Sequence, residues 1–77
     1  LAQEGYKAVP ASVSRRERRI VGSIARGMTV KEIAEDLNLV PGTVRNYLSA
    51  AMHKINIKTR ARLIIYAFTH GLVDFRN

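Results

Sequence analysis

The stretch from Thr29 to Lys54, TVKEIAEDLNLVPGTVRNYLSAAMHK, leaves this chain few folds to choose from. Ile33, Ala34 and Leu37 recur at helical intervals. Val44, Tyr47, Leu48 and Ala51 resume the pattern after a short break, so each segment has one apolar stripe. Two stripes this close together must be buried in a common core, and the corner between them has to be tight. Asn38 is one of the few non-glycine residue types that tolerates a left-handed backbone, and it stands where that corner is needed. Ala34 lets a neighbouring helix cross closely, and Leu39 is placed to point inward and pin the two helices at a steep angle. The polar outer side of the second segment carries Arg45, Asn46 and Ser49. This is the outline of a helix-turn-helix.

The flanking segments supply the remaining helices. Ser14 followed by Glu17 has the pattern of a capping box, in which hydroxyl and carboxylate each satisfy the other residue's amide. A first helix therefore starts there, buries Ile20, Val21, Ile24 and Ala25, and stops at Gly27. Arg15, Arg16, Arg18 and Arg19 crowd its first turns, against the sense of the helix dipole. Thr29 and Glu32 repeat the box, which starts the second helix at Val30 and runs it to about Leu37. The third helix lacks a side-chain cap, because Val40 has no oxygen to offer, but Pro41 suits the first helical position. It should continue to about Ile55, with Met52 and Ile55 completing its apolar side. Thr59 is a good cap for a fourth helix that Gly71 ends. Leu63, Ile64, Ala67 and Phe68 form its inward stripe, leaving Arg62, Ile65, Tyr66 and Thr69 outside as a candidate homodimer face.

The pattern predicts an all-α four-helix bundle over residues 13–77. Residues 1–12, with Gly5 and Pro10 and no sustained period, read as a linker or N-terminal arm. Opening on Leu rather than Met suggests a fragment of a longer protein. With 77 residues the chain makes one domain with a small core. The absence of cysteine excludes a disulfide scaffold and a thiolate metal site. No apolar run approaches the roughly 18 residues that a bilayer span needs, and the apolar stripes are required for the core. A soluble, cytoplasmic protein without a membrane partner is expected. The formal charge of +7 and pI near 10.6 fit a binder of polyanions.

Catalysis is not indicated. His53 and His70 are too far apart for a helical metal pair, and neither has a nucleophile or carboxylate pair beside it. No metal, cofactor or catalytic residue is called for. Glu17, Glu32 and Arg60 read as structural, in caps and an ion pair.

Taken together, several motifs resemble the LuxR/FixJ/NarL type of DNA-binding domain. They are Val13-Ser14-Arg15-Arg16-Glu17, Ile24-Ala25-Arg26-Gly27, Lys31-Glu32-Ile33-Ala34, Thr43-Val44-Arg45, His53-Lys54-Ile55, Arg60 and Gly71-Leu72-Val73. The run Pro41 to Ser49 is similar to the recognition helix of DesR-like response regulators. Arg19 stands where that family commonly has Glu, and Val40 where Ser or Thr is usual.

The resemblance implies the output domain of a bacterial transcriptional regulator, dimeric on double-stranded DNA through its fourth helix and often preceded by a receiver or ligand-binding domain. It implies base contacts from Arg45, Asn46 and Ser49, and the chemistry agrees. Arg can donate twice to guanine, Asn can pair with adenine, and a good bidentate contact is worth roughly 1–3 kcal/mol of discrimination. Phosphate contacts are expected from Lys31, from Gly42 and Thr43 at the start of the third helix, and from Lys54. His53 is expected near the DNA backbone or simply in solvent. A competing reading of another class is a docking module whose helices bind an RNA polymerase subunit or another regulator. A nearer alternative is a sigma-factor-like promoter-binding domain, which shares the motif but not the Gly-Leu-Val ending.

Overall fold

The computed structural model describes residues 9–73, which form α1 (Arg15–Ala25), α2 (Val30–Leu37), α3 (Pro41–Lys54) and α4 (Arg60–Thr69). Each start has the cause its sequence suggests. In α1 the Glu17 amide donates to Ser14 Oγ at 3.1 Å and the Ser14 amide to Glu17 Oε1 at 2.7 Å. Thr29 and Glu32 make the same reciprocal pair at 3.1 and 2.8 Å. The Arg62 amide donates to Thr59 Oγ1 at 3.2 Å at the head of α4. Only α3 begins without a side-chain cap, on Val40 and then Pro41.

The ends are equally local. Gly27 and Gly71 take positive φ of 93° and 71° just past α1 and α4. Asn38 turns the chain between α2 and α3 at φ 59°, in the left-handed region, and Leu39 beyond it packs against the core. Asn56, φ 57°, turns the chain again after α3.

α1 is the central element. It packs along both α3 and α4, while α2 packs chiefly on α3. Ile20, Val21, Ile24, Ile33, Ala34, Val44, Ala51, Leu63, Ala67 and Val73 form the buried core. Full burial of a side chain such as Ile or Leu contributes about 1.5–3 kcal/mol. The chain returning after α4 crosses α1 at Gly22, where a β-carbon would run into the Leu72 carbonyl.

The orientation of α4 corrects one expectation. Its core-facing line runs through Leu63 and Ala67, and Phe68, about 100° further round the helix, is 45% exposed. Ile64 is only half-buried, and Tyr66 is half-buried too, stacked on His70 with ring centroids 3.9 Å apart. Apolar residues occupy nearly the whole circumference of this helix, so periodicity alone does not select the face that meets α1. Residues 1–8 of the expected arm and 74–77 of the expected domain lie outside the described residues. Where the arm meets the domain, the Val13 amide closes a turn on the Pro10 carbonyl at 3.0 Å. Among the described residues, no helix is long and apolar enough to cross a membrane.

Candidate nucleic-acid interface

Two elements fix the orientation of α3. Val44 and Ala51 are buried and Tyr47 and Leu48 half-buried, which anchors one side of the helix on α1 and α2. The opposite side then has to face water. Gly42, Arg45, Asn46, Ser49 and His53 are all exposed along it. Helical geometry brings Arg45, Asn46 and Ser49 onto one continuous strip. Among the described residues none of the three is held by a side-chain hydrogen bond or ion pair. A guanidinium, a carboxamide and a hydroxyl therefore project from a rigid, core-anchored helix with their donors and acceptors available. His53 continues the strip one turn further on.

The surroundings of the strip sort the remaining candidates. Lys31 is exposed on the first turn of α2. Gly42 is exposed at the start of α3, where a first-turn amide has no intrahelical acceptor. The Thr43 amide is already used, donating to the Val40 carbonyl at 3.0 Å, so only its half-buried hydroxyl remains of that expected phosphate contact. Val40 itself is 65% exposed at the mouth of the helix.

Lys54 has a different occupation from the expected one. Its Nζ donates to both Glu17 carboxylate oxygens, at 2.9 and 3.0 Å, and to the Ser12 carbonyl at 2.8 Å. Three acceptors use the three donors of an ammonium. The lysine thus ties the end of α3 to the start of α1 rather than reaching outward. Burial pushes the Glu17 carboxyl up, but the Ser14 amide and the Lys54 ammonium outweigh it, and the group titrates below its ordinary value of 4.5. At neutral pH the pair is charged and internally balanced.

The candidate dimer residues also gather. Arg62, Ile65, Tyr66 and Thr69 line a shallow groove together with Asn56, Ile57 and His70. Ile65 stands 65% exposed in it. The Thr69 hydroxyl donates back to the Ile65 carbonyl at 2.8 Å, and His70 Nδ1 lies 3.0 Å from the Tyr66 carbonyl, so two of the polar groups are satisfied within the helix.

Residues 11–67 match the family described as bacterial regulatory proteins, luxR family. The chain is 44% identical to the response regulator UvrY of Escherichia coli (strain K12) over 64 residues, which are 83% of this chain and 29% of that protein. It is 41% identical to the transcriptional regulatory protein DesR of Bacillus subtilis (strain 168) over 49 residues, 64% of this chain and 25% of that protein. Over 75 residues, 96% of this chain and 36% of that protein, it is 33% identical to the transcriptional regulatory protein LiaR of the same strain. The chain thus spans little more than a third, or less, of the length of these relatives.

Proposed function

This chain belongs to the luxR family of bacterial regulatory proteins, and we propose that it is the sequence-reading output domain of a transcriptional regulator, of the response-regulator kind, that places α3 in the major groove of double-stranded DNA. One observation carries the reading: Arg45, Asn46 and Ser49 stand exposed and unpartnered on one side of α3 while its other side is fixed in the core. Rigid presentation matters, because a base contact discriminates only when its donors are held in register with the base edge. Arg45 is assigned to guanine, Asn46 to adenine, and Ser49 to a neighbouring base edge. The Gly42 amide, the Thr43 hydroxyl and the Lys31 ammonium hold the flanking phosphates, and Lys54 serves the fold.

The groove on α4 is assigned to a second copy of the chain, so that two recognition helices meet two half-sites. Selection of bound duplexes from a random pool tests this reading. A recurring motif in two half-sites is expected, and Arg45→Ala and Asn46→Ala should each relax preference at its own position, by roughly 1–3 kcal/mol of discrimination. Equal loss on selected and random duplexes for both variants would remove the base-reading assignment. An absence of duplex binding even at low salt would favour a protein-docking module, including one for RNA polymerase.

A further inference from the structure

The first turns of α1 carry more positive charge than the fold uses. Arg15, Arg16, Arg18 and Arg19 lie at the positive end of the helix dipole, where cations are unfavourable. Arg19 meets Asp36 at 3.5 Å in a pair whose side chains are largely exposed, and Arg18 Nε donates to the Val13 carbonyl at 3.3 Å. Glu17 is the acid nearest in sequence, but its carboxylate is buried and engaged with Lys54. Arg15 and Arg16 are thereby left without a carboxylate among the described residues.

Their position is informative. The Arg16 guanidinium lies over the Tyr47 ring, 5.9 Å from its centroid, and Tyr47 is half-buried on α3, about 100° round the helix from Asn46 at the edge of the exposed strip. The cation–π contact holds a planar fork of donors against α3, beside the strip proposed to enter the groove rather than within it, and such a fork suits the oxygens of a phosphate. We propose that Arg15 and Arg16 grip the sugar-phosphate backbone beside the groove that α3 enters, forming a second line of contact from a helix outside the helix-turn-helix. The inference rests on the DNA-reading assignment of α3 and extends its footprint to α1. Phosphates there would neutralise the charge that the dipole and the neighbouring arginines disfavour. Arg16 is pre-oriented by Tyr47, whereas Arg15 is the freer arm.

The test is the salt dependence of binding to a labelled random-sequence duplex and to a duplex from the selection above, measured for the 77-residue chain. Arg15→Ala takes away no interaction that the fold depends on, and Arg16→Gln keeps a polar side chain beside Tyr47. Far-ultraviolet circular dichroism establishes that each variant is folded. The slope of log affinity against log salt is expected to fall by about 0.9 for each phosphate that is no longer neutralised, equally on both duplexes, with the selected motif unchanged. Arg26→Ala is the control for net charge: it removes the same charge at the far end of α1, roughly 15 Å from Arg16 along the helix. An unchanged slope in both arginine variants, or an equal fall in Arg26→Ala, would overturn the proposal. If Arg45→Ala still relaxes specificity in the same preparation, the α3 reading survives that outcome. If DNA affinity is unchanged in both variants while binding to an acidic peptide disappears, the patch belongs to a protein partner and the proposal fails.

Discussion

Glu17 is 4% exposed and still titrates below 4.5, so its stabilising contribution depends on pH with a definite sign. A carboxyl whose folded value lies below its unfolded one stabilises the fold above the unfolded value. That contribution is lost as pH falls through the folded value. The chain should therefore lose stability on acidification below about 4.5, and Glu17→Gln should flatten that acid limb in denaturant titrations at stepped pH. The partner behaves differently. Lys54→Ala would leave a buried carboxylate without its cation, and a loss of about 2–3 kcal/mol at neutral pH is expected. Once the variant is held folded, its salt slope on DNA should equal that of the unsubstituted chain, because all three donors of the ammonium are engaged within the fold. A lowered slope would return Lys54 to the phosphate set. The pair is invisible in sequence for a simple reason: its members are 37 residues apart, and only the packing of α1 on α3 brings them together. Arg45, Asn46 and Ser49 were legible because their exposure follows from one helical period.

The helices themselves were readable wherever a local interaction sets them. Both capping boxes, the Asn38 corner and the terminating glycines depend on residues within a few positions of one another, and the structure has each of them. The rotation of α4 was not readable, since Leu63, Ile64, Ile65, Ala67 and Phe68 offer almost any face and the choice is made by contact with α1. The uncapped start of α3 can be tested directly. Val40 already has the extended backbone of a cap, φ −84° and ψ 151°, and lacks only an acceptor. Val40→Thr is expected to stabilise the domain by about 1 kcal/mol, read as a shift in the denaturant midpoint. Gly22→Ala should act in the opposite direction. Alanine is the better helix former, yet here its methyl would enter the Leu72 carbonyl, so about 1–3 kcal/mol of destabilisation is expected. A neutral result would mean that the segment after α4 shifts away from α1 without cost.

For the molecule as a whole, the arrangement separates the two surfaces of the proposal, the α3 strip assigned to DNA and the α4 groove assigned to a second copy. A two-fold interface of this kind uses the same patch on both partners, and two recognition helices then address half-sites about one turn of DNA, roughly 34–36 Å, apart. One face of a 10-residue helix is a small contact, and interfaces well below about 1,000 Å² do not usually hold a stable dimer alone. On the proposed reading DNA would supply the missing term by holding both copies at high effective concentration, and the contact would then register as cooperativity rather than as a dimer in free solution. The Ile65 side chain is exposed on that face and wholly apolar, which makes Ile65→Asp the discriminating substitution. Two like charges would then meet across the two-fold axis. Affinity for a duplex with two half-sites should fall by an order of magnitude or more, about 1.4 kcal/mol, and the binding curve should lose its steepness. Affinity for a single half-site should stay unchanged, because neither the α3 strip nor Arg15 and Arg16 line the groove. If binding to the paired site survives intact, the two copies meet through some other face, and the groove on α4 has to be reassigned while the reading of DNA by α3 stands.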